Sequence, residues 1–84
     1  MKKIINKDKI KADLDVINLI LVVYINLSNN DYIYNWSETL LRSNYRVFLF
    51  DLYRQIYDLI KSKDKANLII ALELISKKLN EVLT

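Results

Sequence analysis

The sequence predicts an all-α fold, and three observations carry that prediction. Glycine and proline are both absent from the 84 residues, where average usage of about 7% and 5% would place roughly six and four. Without glycine, positions needing φ > 0 fall to Asn or Asp or must be avoided, so tight hairpin turns are disfavoured. Apolar residues also recur at helical spacing in three successive segments joined by short polar links. Finally, 52% of the chain is hydrophobic, enough to order it around one modest core.

The first helix is predicted from about residue 8 to residue 27. Ile10, Leu14, Ile17, Leu21 and Tyr24 follow each other at intervals of four and three, one face of a helix. Val16, Ile20, Val23 and Leu27 widen that face, leaving a narrow polar strip of Lys7, Asp8, Lys11, Asp15, Asn18 and Asn26. A helix apolar around most of its circumference is covered on several sides, so it is expected to be the central element or an oligomer interface. The run VINLILVVYINL, residues 16–27, is shorter than the roughly 20 residues a membrane span requires. Asp13 and Asp15 precede it and no small-residue cleavage pattern follows, so a buried helix is expected rather than a signal or anchor.

Ser28, Asn29, Asn30 and Asp31 then form a strong break, since such side chains bond their own backbone and tolerate left-handed φ. With residues 32–34 continuing the link, Asn35 or Ser37 is the expected N-cap of a second helix over about 36–61. Glu38 in its first turn suits the helix dipole. On a wheel, Leu41, Tyr45, Phe48, Leu49, Leu52, Tyr53, Ile56, Leu59 and Ile60 fill one arc of roughly 140°. The third helix, about 64–83, carries Leu68, Leu72, Ile75, Leu79 and Val82 at intervals of four, three, four and three. The link KSKDK is short, so the second and third helices are expected to fold back as an antiparallel hairpin. Nothing in that link forbids helix, and a continuous rod from Trp36 to Leu83 stays open. The predicted architecture is one domain over 1–84, a three-helix bundle running up, down, up. Ile69, Ile70 and Leu74 lie off the third seam, and this apolar excess points to self-association, most simply a homodimer.

The same composition removes much chemistry. With no His and no Cys, the usual general base, thiol nucleophile, soft metal ligand and disulfide framework are all missing. Phosphate loops and dinucleotide fingerprints require glycine. The ten acidic residues are scattered, and Asp13 and Asp15 are expected on different faces of a helix. No cofactor, no metal and no enzymatic activity are expected. The absence of cysteine staples points to an intracellular, cytoplasmic setting. The abundance of Lys, Asn, Ile and Tyr is that of AT-rich coding, as in low-GC bacteria, their mobile elements or large viruses. The formal charge is +3, less than a dedicated nucleic-acid binder carries.

What remains is one concentrated feature. Residues 35–61 hold all three arginines, the sole Trp, both Phe and three of the six Tyr. Outside the predicted core arc stand Arg42, Arg46, Phe50, Arg54 and Tyr57, with Trp36 at the expected helix start. Arginine and aromatics are the residues enriched at the energetic centres of protein interfaces. They also make stacking surfaces for single-stranded nucleic acid, although Asp51 and Asp58 dilute the positive charge. In size, helicity and basic charge the chain resembles the bacteriocin immunity proteins of low-GC bacteria, which implies binding of a protein partner. SKKLNEVL, residues 76–83, is loosely similar to the helix of small phosphatases that act on sporulation response regulators. Lys77 and Asn80 replace the Gln and Asp on which that activity depends, so no such activity is implied. The expectation is a non-enzymatic protein binder acting as inhibitor, immunity factor or adaptor. A nucleic-acid-binding regulator or a structural oligomer subunit is the alternative.

Overall fold

The computed structural model describes residues 6–26, 31–46 and 49–83. All regular structure among them is helical. There are four α-helices rather than the three expected: α1 (Lys7–Val22), α2 (Asp31–Arg42), α3 (Tyr53–Lys61) and α4 (Lys65–Leu83).

Helix α1 starts where Asn6, in extended conformation, caps it. The Asn6 side-chain oxygen accepts from the backbone N–H groups of Asp8 at 3.0 Å and Lys9 at 3.2 Å, satisfying two of the donors that a helix start leaves free. It ends earlier than the apolar pattern suggests. The chain tightens after Val22 into a 3₁₀ turn over Tyr24–Asn26, which buries Ile25. Residues 27–30, which include Leu27 and most of the expected Ser28–Asp31 break, lie outside the described residues. Asp31 already belongs to α2.

The expected helix over 36–61 is two helices. α2 begins five residues earlier, so Asn35, Trp36 and Ser37 are interior positions and neither Asn35 nor Ser37 is an N-cap. It stops at Arg42, followed by 3₁₀ turns over Asn44–Arg46 and Phe50–Leu52. The physical reason lies in the Ser-Asn pair at 43–44. These residues favour local bonds to the backbone over helix propagation, and the Ser43 hydroxyl donates to the Leu40 carbonyl at 2.6 Å. The Ser43 and Arg46 N–H groups then bond three residues back, at 3.1 Å each, the 3₁₀ pattern. Phe48, expected in the core arc, lies outside the described residues.

A three-residue link, Ser62–Asp64, joins α3 to α4 and excludes the continuous rod. Lys63 adopts φ 59°, so the left-handed position expected of Asn or Asp is held by lysine. It closes α3 as a left-handed cap. The Lys63 N–H reaches the Ile60 carbonyl at 3.3 Å, one of the two bonds of a Schellman cap. The other bond is relayed through a side chain. Ser62 Oγ donates to the Leu59 carbonyl at 2.7 Å and accepts the Asp64 N–H at 3.2 Å and Asn67 Nδ2 at 3.0 Å. Asp64 then caps α4 by accepting the Ala66 N–H at 2.9 Å.

One contiguous core draws on every helix. Ile10, Leu14, Ile17 and Ile20 of α1, Leu40 and Leu41 of α2, Ile56 and Ile60 of α3, and Leu68, Leu72, Ile75 and Leu79 of α4 are all buried. Each such side chain is worth about 1.5–3 kcal/mol when fully buried. α4 packs against both α1 and α3, and α2 packs against α3. Helices α3 and α4 each contact two other α-helices, whereas α1, expected to be central, packs chiefly against α4. Helix α1 in fact leaves Val16, Leu19, Val22, Val23 and the following Tyr24 exposed. Of the off-seam residues on α4, Ile69 and Leu74 pack partly on the core while Ile70 stays exposed. No helix among the described residues is long and apolar enough to cross a membrane.

Candidate functional site

The six residues singled out from the sequence divide into three groups. Arg42, Arg46 and Tyr57 join a continuous run of charges and rings along α2 and α3. The Arg46 guanidinium lies over the Tyr53 ring, 5.0 Å from its centroid. Tyr53 stacks on Tyr57 with centroids 6.3 Å apart and planes 8° from parallel. The Lys61 ammonium lies 5.8 Å from the Tyr57 centroid. Tyr53, Tyr57 and Lys61 are four residues apart, so they line up on one face of α3.

Lys61 also faces α2, where its Nζ is 3.8 Å from Glu38 Oε2. The same carboxylate oxygen accepts from Arg42 Nη2 at 3.2 Å. Glu38 thereby sits between two cations and ties the end of α2 to the end of α3. Cation–ring pairs of this kind contribute about 0.5–1 kcal/mol each at exposed sites, and exposed ion pairs less. The gain is order rather than much stability: each ring and cation is oriented by its neighbours along the run.

Phe50 and Arg54 form the second group. Phe50 is 79% exposed because the 3₁₀ turn that carries it projects it away from the core. Arg54 is also exposed and makes no ion pair among the described residues. Trp36 stands alone in the third group. Lying within α2, it is half-buried and packs against the core, so it does not extend the exposed face.

Tyr53, Lys61 and Glu38 were not singled out from the sequence. Tyr53 falls in the predicted core arc when 36–61 is treated as one straight helix. Because α2 ends at Arg42 and α3 starts only at Tyr53, one straight wheel does not relate the two helices, and Tyr53 is half-buried. Four cations, Arg42, Arg46, Arg54 and Lys61, stand against Glu38, Asp51 and Asp58, a formal +1 for this region. That is too little to follow a phosphate backbone closely.

A second polar cluster lies on the α1 side and is buried. Asp13 is 8% exposed. Its Oδ2 accepts the Tyr45 phenol and lies 3.3 Å from Lys9 Nζ. Burial first, then the hydrogen bond to Asp13 and the carboxylate charge, push the Tyr45 phenol well above its ordinary range. The expectation that Asp13 and Asp15 occupy different faces holds, with Asp13 turned inward and Asp15 outward. Asp13 lies three residues after Ile10 and four before Ile17, inside the apolar stripe of α1. The bond anchors the 3₁₀ turn at 44–46 to α1, which holds Arg46 in place over Tyr53. Tyr34 is also raised, by burial and then by Asp64 and Asp31, and the Lys63 ammonium lies 4.8 Å from its ring centroid.

Among the described residues no group of three or more acidic side chains gathers closely enough to hold a metal ion. No protein-family model, curated protein or solved structure matches this chain.

Proposed function

We propose that this chain is a non-enzymatic helical protein that binds a protein partner through the exposed face of α3 and the end of α2. It would act as an inhibitor, immunity factor or adaptor inside the cell, encoded by a mobile element or virus. The single observation supporting this reading is Phe50, 79% exposed and three residues before Tyr53 in the oriented run of Arg46, Tyr53, Tyr57 and Lys61. An exposed phenylalanine among pre-ordered arginine and tyrosine is the makeup of an interface centre, with the ring as anchor. Arg54 and Arg42 supply guanidinium donors to carboxylates on the partner. The arrangement we adopt is a helical bundle with α3 and α4 as an antiparallel hairpin, and the chain self-associates as a homodimer.

The test is quantitative capture from native host extract, comparing the wild type with a Phe50→Ala/Arg54→Ala variant at several salt concentrations. Both residues are exposed, so the variant should keep the wild-type helical spectrum. The reading predicts one protein species retained by the wild type and lost, by at least tenfold, from the variant. Stacking of Tyr53 and Tyr57 gives the nucleic-acid alternative its one specific support. Retention of an oligonucleotide instead, with an affinity falling steeply with salt, would replace the protein-partner reading by that alternative.

A further inference from the structure

The link between α3 and α4 holds one residue in a costly backbone state. Lys63 adopts φ 59°, a left-handed conformation that crowds the Cβ of any residue but glycine. Ser62, just before it, is still right-handed, with φ −65° and ψ −20°, so the chain leaves the course of α3 at Lys63. The link itself does not oppose helix. Residues 61–66 include neither glycine nor proline, and the lysines and alanine among them are good helix formers. The bend is held by the Lys63 ammonium over the Tyr34 ring at 4.8 Å, and by the bonds of Ser62 and Asp64 that cap the two helix ends. A helical link replaces those caps by backbone bonds and relieves Lys63, giving up the ring contact in exchange.

Helix α4 is too apolar to leave its place uncovered. Leu68, Ala71, Leu72, Ile75 and Leu79 are fully buried, and α4 packs on both α1 and α3. Straightening the link carries α4 away from its own chain and bares both surfaces at once. A second copy straightened in the same way offers the same two surfaces, and these match residue for residue. Short strained hinges of this kind invite domain swapping. We propose that the α3–α4 link is a swap hinge. With Lys63 right-handed, α3 and α4 become one helix over 53–83, and two copies exchange α4 about a twofold axis at the link. Each α4 then packs on α1 and α3 of the other copy with the contacts it makes in the single chain. The proposal rests on the readings that α3 and α4 form a hairpin and that the chain self-associates, and it names the element exchanged. At the crossing, Lys61, Lys63 and Lys65 stand against Asp58 and Asp64, a formal +1 per copy, a weak repulsion that salt screens.

The chain is unfolded in urea, refolded at up to about 300 µM, the range of a weak complex, and separated into monomer and dimer by gel filtration. Because it has no cysteine, spin labels on Gln55→Cys/Glu73→Cys, both exposed, report a single distance. Dilution into unlabelled chain restricts that distance to labels on the same copy. In one helix over 53–83 the two positions lie about 27 Å apart at 1.5 Å per residue. In a hairpin of helices packed side by side they lie no more than roughly 15 Å apart. The dimer should show the long distance and the monomer the short one. Lys63→Ala keeps the strained position and loses the ring contact, whereas Lys63→Gly relieves the strain and weakens the straight helix. Each dimer contains two links, so Lys63→Gly should have a dissociation constant roughly a hundredfold above that of Lys63→Ala, with the circular dichroism of the two monomers alike. A dimer with the short distance, or equal constants for the two variants, overturns the swap and leaves self-association standing. A wild type and a Lys63→Ala variant that both stay monomeric overturn self-association, and the swap with it.

Discussion

The buried Asp13–Tyr45 bond offers the sharpest quantitative test of how this fold is held. It joins α1 to the 3₁₀ turn at 44–46 across 32 residues of sequence, and Asp13 is 8% exposed. A hydrogen bond to a charged group contributes about 1.5–3 kcal/mol, and a buried group left without its partner costs about 1–3 kcal/mol. Tyr45→Phe removes the donor and leaves Asp13 with Lys9 as its remaining partner, at 3.3 Å. The expected loss is about 2 kcal/mol, on the order of 10 °C in Tm for a chain of this size. Asp13→Leu alone leaves the phenol buried without an acceptor and costs a similar amount. The double variant Asp13→Leu/Tyr45→Phe replaces both partners by apolar groups, so neither polar atom is stranded. It should therefore be more stable than either single variant. Urea unfolding followed by circular dichroism gives the three differences and the coupling between them. Additive losses, with the double variant the least stable, would show that the two groups do not share this bond in the folded protein.

The same pair predicts a pH dependence with a definite sign. The folded phenol binds its proton more tightly than the unfolded one, whose ordinary value is 10.0. Its contribution is then complete below about pH 10 and is lost as pH rises above that value. Wild type should destabilise more steeply than Tyr45→Phe in this alkaline range.

Two further substitutions test local features. Lys63 holds φ 59°, a conformation costing a residue with a Cβ roughly 1–2 kcal/mol. Lys63→Gly and Lys63→Ala both lose the contact with Tyr34, so the glycine variant should exceed the alanine variant by about 1 kcal/mol in urea midpoint analysis. An alanine variant of equal or greater stability rules out the left-handed cap. Ser37 is fully buried and its hydroxyl finds no hydrogen-bond partner among the described residues. Ser37→Ala should leave thermal stability unchanged or raise it by up to about 1 kcal/mol, and a loss larger than that would mean the hydroxyl has a partner.

The helical class was legible because it depends on local rules. A chain without glycine and proline cannot make tight hairpins cheaply, and apolar spacing of three and four is set by the helix pitch itself. The last helix was placed within a residue of its observed start for the same reason. The residues of the α2–α3 run were partly legible: Arg42, Arg46 and Tyr57 were singled out, whereas Tyr53, Lys61 and Glu38 were not. A wheel drawn over 36–61 assumes one axis, and the Ser-Asn pair at 43–44, readable as a weak point, was not enough to predict a break. Local propensity differs by only tenths of a kcal/mol between helix and 3₁₀ turn there, and the tie is settled by what the turn packs against. Here Tyr45 finds Asp13 on another helix.

From sequence alone, this protein is determined to be helical, free of thiol and imidazole chemistry, and richest in interface-type residues between 35 and 61. Tertiary structure alone decided that Trp36 turns toward the core and Phe50 outward. It also decided that Asp13 is buried and that one side of α1 is left bare. An apolar residue is equally satisfied by its own core or by another molecule, because burial has no direction. Which of the two covers it depends on how many faces the rest of the chain can reach, and among the described residues Val22 and Phe50 are left exposed.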